Sequence, residues 1–330
     1  MQARLIKQCA VALAAVVGAT FAQAQTTVRF QDYPGTGNLL VRIAQAQGYC
    51  QQAGIRCDLR TIPAAPLGMQ TMLSGDIDVF FGPTEVAAAA VARRAPVQII
   101  GAGYVDPVFF VAAGPKTELA TENEGYPGVV KSFKGKRIGV TQRGSGAEFQ
   151  VIDMLADVGL TANDVTFVAV GAPDTAFPAL TRGQVDLIMT FSPTDGMCEV
   201  LKACRVVVDP RKGEGPASLL ATRGGSGAMA VRADWANSNA STIAAIRQAL
   251  EQAEKFALEP GNFDRVLEIL RASFGLQLPN ADQIAEVTLR NSIDNFRARG
   301  SVQAIQAVAD AMTQNKLLPG KVDMAPAVLP

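Results

Sequence analysis

The sequence contains no histidine. That removes the commonest general base, the commonest transition-metal ligand and any Ser-His or Cys-His nucleophile pair. Aromatic residues are few, at 6%, with one tryptophan and four tyrosines. Net charge is missing too: 30 basic residues balance 30 acidic ones, and no basic block stands out. A nucleic-acid partner therefore has no electrostatic support. No stretch beyond the N-terminus is long and apolar enough for a membrane span, which takes about 20 residues, so stable membrane insertion is not expected. With 48% hydrophobic residues, the composition suits a globular α/β protein.

What is present first is an export signal. Arg4 and Lys7 precede an apolar run from Cys9 to Ala19, and Ala22 and Ala24 hold the small-residue positions of a signal-peptidase site. The pattern predicts a cleaved signal peptide over 1–24, a mature start at Gln25 and a periplasmic location. An uncleaved anchor is the competing reading. Cys9 leaves with the peptide and marks no lipoprotein junction. Cys50, Cys57, Cys198 and Cys204 remain, and four cysteines allow three pairings. The local pairing, Cys50–Cys57 with Cys198–Cys204, is preferred. In each pair the first cysteine lies in or ends a predicted helix, and the second opens a predicted strand. Four reduced thiols suit an exported chain less well. The spacings are not those of a zinc knuckle, so neither metal nor cofactor is expected.

From the mature start, strands alternate with helices. Strands are predicted at 27–31, 57–62, 77–82 and 97–103, with helices over 38–53, 67–74 and 84–92 between them. The stretch 114–136 reads as connection. The alternation then resumes, with strands at 137–141, 164–170, 185–190 and 205–209 and helices over 147–158, 175–181 and 194–203. A short strand at 228–233 precedes four helices, about 238–258, 262–274, 281–298 and 302–316. Asn280 with Gln283 suggests a capping box for the third of these. Two segments resemble each other: GDIDVFFGP (75–83) and GQVDLIMTFSP (183–193). In each, a helix ends at Gly, an Asp enters a buried strand, and Pro follows. Twinned open parallel sheets facing each other would leave a cleft at their strand carboxyl ends, where such sheets bind ligands.

The segments VRFQDYPG, AQAQGYCQQAGI, MLSGDIDVFFGPTEVAAAA, APVQIIGAG, SFKGKRIGVTQRGSGAEFQ, ALTRGQVDLIMT and MAVRADWANSNASTIAAIRQALEQA follow in an order that resembles a known family. The chain resembles the periplasmic substrate-binding proteins of ABC importers, in the nitrate/sulfonate/taurine (NitT/TauT, SsuA-like) branch. The resemblance spans nearly the whole mature chain. It implies an α/β, two-lobed periplasmic-binding-protein-like (type II) fold with two hinge crossovers. Lobe one would comprise 25–112 with 222–330, and lobe two 113–221. It also implies a monomer that captures a small-molecule ligand and delivers it to an ABC permease, without catalysis. Enzymes that make thiamine pyrimidine or act in menaquinone pathways share the fold, and a ligand-presenting sensor is a further alternative. The stretch 116–131 is longer than this link usually is.

Site candidates follow from geometry. The loops at strand carboxyl ends bring Tyr33, Thr36, Asn38, Gly82, Thr84, Tyr104, Asp174, Thr190 and Ser192 toward the cleft. The loop TQRGSGAE (141–148) is the strongest candidate for a small anion such as a sulfonate or carboxylate. Gly144 and Gly146 permit close approach, Ser145 can donate, and Arg143 can form a bidentate bond. Asp32, Asp106 and Asp174 are candidates for an amine if the ligand is zwitterionic. Each has a plainer reading, as turn glycine, helix cap or rim residue. Trp235 reads as packing between helices.

Overall fold

The structure, a computed structural model, describes residues 25–275 and 278–330. The expected signal peptide lies outside the described residues. Along the chain come β1 (Thr26–Asp32), α1 (Leu39–Ala46), α2 (Tyr49–Gln52), β2 (Ile55–Thr61), α3 (Ala65–Ser74), β3 (Phe80–Pro83), α4 (Thr84–Ala92) and β4 (Val97–Gly101). Next are β5 (Phe110–Ala113), α5 (Gly128–Lys131), β6 (Arg137–Val140), α6 (Gly146–Asp157), β7 (Thr166–Ala169), α7 (Pro173–Thr181), β8 (Leu187–Thr190), α8 (Thr194–Leu201), β9 (Arg205–Val208) and α9 (Ala217–Leu220). Strand β10 (Gly227–Arg232) leads to α10 (Ala233–Ser238), α11 (Ala240–Leu258), α12 (Phe263–Phe274), α13 (Ala281–Ser292) and α14 (Val302–Gln314).

These strands build two sheets of one design. β1 and β2 pair in parallel, and a bridge from Phe30 to Val79 joins β1 to the segment entering β3. β10 lies antiparallel between β3 and β4. The first sheet therefore runs β2-β1-β3-β10-β4. The second runs β7-β6-β8-β5-β9, with β5 antiparallel to both neighbours. Each sheet thus holds four strands of βα units and one antiparallel strand in the fourth place. The chain passes between the sheets twice, after β4 and after β9.

The twin segments found in the sequence carry matching clasps. In the first sheet, Arg29 donates from its backbone and side chain to Asp78 and reaches the Gly75 carbonyl. In the second, Arg137 does the same with Asp186 and Gly183. Arginine and aspartate are 49 positions apart in both. A bidentate Arg–carboxylate pair fixes direction as well as distance, so each clasp sets how the first strand of a lobe lies against its third.

Several elements differ from expectation. The helix expected over 38–53 is two helices, parted at Gln47 and Gly48. Strand β5 was not expected. It is short and Ala-rich, with weak intrinsic strand preference, yet all four residues are buried between β8 and β9. The expected lobe boundary at 112/113 runs through it. Asn280 sits at φ 60° and makes no capping hydrogen bond, and the helix expected to reach 298 ends at Ser292. Cys50–Cys57 and Cys198–Cys204 are disulfide-bonded, each tying a helix to the strand that follows it. Trp235 packs against the core of the first lobe. Among the described residues, no helix is long and apolar enough to cross a membrane.

Candidate ligand-binding site

A cavity of about 210 Å³ lies between the strand ends of the two sheets. The first lobe supplies Tyr33, Thr36 and Gly37 after β1, Phe81, Gly82 and Pro83 from β3, and Tyr104 after β4. The second supplies Thr141, Ser145 and Gly146 around the start of α6, Phe191 and Ser192 after β8, and Arg211 after β9. The crossing segment adds Asp106, Val108 and Phe109. Asn291, Ser292, Asp294, Asn295 and Phe296, at and beyond the end of α13, close one side.

Aromatic rings make most of the wall. Tyr104, Phe81, Tyr33, Phe191 and Phe109 form a continuous edge-to-face chain, with successive centroids 5.6, 5.9, 6.1 and 5.9 Å apart. Each such contact adds about 0.5–1.5 kcal/mol beyond area burial, and the Tyr33–Phe191 contact joins rings of the two lobes. The Tyr33 hydroxyl is fully engaged: it donates to the Phe81 carbonyl and accepts from Gln31, both at 2.9 Å. Burial pushes its phenol well above the ordinary range, so Tyr33 offers a neutral ring edge or face. The Tyr104 phenol is raised as well, first by burial and then by the charge of Glu85. Its hydroxyl has no hydrogen-bond partner among the described residues.

The loop carrying Tyr33 owes its shape to Arg42 of α1. The buried Arg42 guanidinium pairs with Asp32 at 2.8 Å and donates to the carbonyls of Tyr33, Gly35 and Thr36. Asp32 is therefore committed to Arg42 and is not available to an amine. Across the cleft, the Thr36 hydroxyl donates to the Ser192 carbonyl at 3.5 Å. The lobes meet at two glycines. A Cβ on Gly35 would lie 2.6 Å from Pro193, and one on Gly146 would lie 2.6 Å from Pro83. Both distances are below any real contact, so only glycine lets the loops approach this closely.

Of the residues singled out from sequence, Tyr33, Thr36, Gly82, Tyr104, Ser145, Gly146 and Ser192 line the cavity. Asn38, Thr84, Arg143, Gly144, Asp174 and Thr190 do not. Asn38 is buried behind the wall, where its amide donates to the Gln31 carbonyl. Thr84 is spent on the Gly225 carbonyl at 2.6 Å. Thr190 pairs with Thr194, and Asp174 is exposed on α7. Arg143 is 63% exposed, pairs with Glu148 at 2.8 Å and lies over the Phe167 ring. The Gly144 amide donates to the other Glu148 oxygen at 2.6 Å. The anion expected at this helix start is thus supplied by the chain itself.

The cation that does reach the cavity is Arg211, which the sequence reading missed. It donates to Asp195 at 2.7 Å and to Asp209 at 2.8 Å, and its guanidinium stacks 4.4 Å from the Phe110 ring centroid. Burial works against its charge, but Asp209 and Asp195 outweigh that and raise its pKa above the ordinary value. Lys212 also lies 3.9 Å from Asp209, so two cations balance the two carboxylates of this cluster. Asp106 and Asp294 also border the cavity, and neither carboxylate has a partner among the described residues. Asn295 fastens this edge: its side-chain oxygen accepts from the Val105 and Asp106 amides, and its amide donates to the Asp106 carbonyl. Among the described residues, no group of three or more His, Cys, Asp or Glu is placed to hold a metal ion.

Two sheets of one order, joined by two crossings and enclosing a cavity at their strand ends, define a two-lobed protein of the periplasmic-binding-protein fold. The chain belongs to the NMT1/THI5-like family, whose model matches residues 38–261. Among solved structures, it is similar to the alkanesulfonate-binding protein SsuA from Xanthomonas axonopodis pv. citri bound to MOPS. That match has a TM-score of 0.73 and 24% identity over 92% of this chain and 98% of the other. It is also similar to the periplasmic nitrate-binding protein NrtA from Synechocystis PCC 6803, with a TM-score of 0.65 and 15% identity over 81% and 70% of the two chains. A curated relative, the 4-amino-5-hydroxymethyl-2-methylpyrimidine phosphate synthase of Aspergillus parasiticus, is 31% identical over 145 residues. The match spans 44% of this chain and 39% of that relative's length.

Proposed function

We propose that this protein captures a small organic solute outside the cytoplasmic membrane and presents it to an ABC-type permease. The fold it shares with SsuA and NrtA supports capture by lobe closure. The chemistry of the cavity favours a ligand with a flat or apolar body, neutral or amine-bearing. The observation that carries this reading is the aromatic chain from Tyr104 to Phe109 bordered by the unpaired carboxylates of Asp106 and Asp294. For a sulfonate or carboxylate ligand, the expectation from Arg143 and Gly144, Arg211 has one N–H left, since the other four are engaged by Asp195, Asp209 and Ser192. A heteroaromatic amine would meet the rings and the free carboxylates instead, and the curated synthase is named for an aminopyrimidine in its phosphate form.

Thermal-shift screening tests the reading. The panel holds aminopyrimidines, aromatic amines, sulfonates including MOPS, carboxylates and nitrate. A ligand at about 100 times its Kd adds roughly 2.7 kcal/mol to the folded state. Stabilisation by ring-bearing amines is the expected result, and stabilisation by the anions alone contradicts it. The family match to a synthase supports a second reading, an enzyme of the same fold. Incubating a stabilising compound with the protein and recovering it unchanged by mass spectrometry distinguishes binding from turnover.

A further inference from the structure

A second contact between the lobes lies directly behind the cavity wall. Glu85, in the first turn of α4, is buried, and one carboxylate oxygen accepts from the Gln150 side-chain amide of α6 at 2.8 Å. The two remaining oxygens of this pair, Glu85 Oε2 and Gln150 Oε1, are both buried and both without a partner. Two orphaned acceptors facing one hydrogen bond is a costly arrangement, since each has lost its solvation without a partner. A carboxylate and an amide cannot relieve it. A carboxylic acid and an amide can, because the acid O–H supplies the missing donor.

We propose that Glu85 and Gln150 form a proton-dependent latch: the lobes close on the neutral acid of Glu85, which donates to the Gln150 oxygen while accepting from its amide. Solvent supplies the proton on closing and receives it on opening. The inference rests on the reading of this molecule as a protein that opens and closes around a solute. It regulates the same site, because Gly146, which lines the ligand cavity, stands with its Cβ position 3.5 Å from Glu85 Oε2.

The surroundings favour the neutral form. Burial, chiefly, pushes the Glu85 carboxyl up to about 7. The Gln150 bond and the Glu85 backbone amide oppose this, and the charge of Asp153, farther along α6, adds to it. Asp153 is itself held by Ser218 and Asn315. The Tyr104 phenol faces Glu85 from the crossing segment. Elsewhere on α6, Glu148 is paired with Arg143 and Asp157 accepts from Tyr126. On the other elements packed against α4, Arg232 of β10 is paired with Asp234, and Asp310 of α14 is exposed and bonded to Gln306. No cation forms an ion pair with Glu85 among the described residues. The sign follows: with a carboxyl raised in the closed state, the latch is at full strength below about 4.5 and is lost as pH rises through about 7. Between those values closure weakens by about tenfold per pH unit at most.

Small-angle scattering of the mature, ligand-free chain at about pH 5.5 and about pH 8.5 tests this, since the two values straddle the raised carboxyl. The wild type should have the smaller radius of gyration at the lower pH. Glu85→Gln should stay compact at both, because its amide N–H replaces the acid O–H. A wild-type radius that ignores pH, or a Glu85→Gln protein that expands as the wild type does, overturns the latch. If Glu85→Gln does not fold, carbon-13 NMR titration of the wild-type glutamates decides. One carboxyl titrating near 7 supports the latch, and all titrating in the ordinary range overturns it. Neither measurement uses a ligand, so a failed ligand panel and a failed latch remain distinguishable.

Discussion

Arg42 is buried and Arg211 half-buried, both are paired with carboxylates, and they do different work. Arg42 moulds the loop that presents Tyr33 and Thr36. Truncating it leaves the Asp32 carboxylate buried and unpaired, so Arg42→Leu should lower unfolding free energy by about 3–5 kcal/mol in a denaturant titration. Arg211 holds the far wall through Asp195 and Asp209. Arg143, by contrast, is outside the cavity and largely exposed. Arg143→Ala should leave the affinity for any ligand that stabilises the protein within about twofold by calorimetry, consistent with the small value of exposed ion pairs. A tenfold loss would return Arg143 to the site. Phe81 touches both Tyr33 and Tyr104. Phe81→Ala should weaken a ring-bearing ligand by about tenfold or more, as deleting a ring from a packed cage costs more than about 1.4 kcal/mol.

At the scale of elements, the lobes meet at glycines where loops cross. Gly146 has ordinary backbone angles, and a Cβ there meets Pro83 of the opposite lobe. Gly146→Val should therefore spare the stability of the ligand-free protein while reducing affinity by about tenfold or more, read by calorimetry beside a thermal melt. The two disulfides act within lobes, each closing a short loop at a helix-to-strand turn. Replacing Cys198 and Cys204 by serine should cost roughly 2–3 kcal/mol in the chain-entropy treatment, with ligand affinity unchanged.

Much of this level was legible in the residues. The βα alternation placed the loops at strand ends, and seven of the thirteen residues taken from those loops line the cavity. The local cysteine pairing also followed from where helices end and strands begin. What escaped was set by distant partners. Strand β5 is made a strand by β8 and β9, not by its own propensity. Arg211 reaches the cavity because Asp195, on another helix, draws it there. Asp294, Asn295 and Phe296 line the site because α13 stops short, and Asn295 then anchors the crossing segment. That Arg143 and Gly144 turn to Glu148 has a local cause that sequence spacing conceals: Glu148 folds back onto the loop it follows.

For the whole molecule, duplication is the organising feature. The Arg29–Asp78 and Arg137–Asp186 clasps set two sheets of one order, and the aromatic cage fills the space between their strand ends. The described cavity is walled by rings and bordered by carboxylates. The central claim is that this wall selects a ring-bearing, non-anionic solute. Native mass spectrometry of the protein purified without added ligand tests it most directly, because the mass of whatever remains bound identifies the class. The expected result is a small heteroaromatic or amine-bearing compound, lost in Phe81→Ala. A bound sulfonate, carboxylate or nitrate, retained in Phe81→Ala and lost in Arg211→Ala, would contradict it.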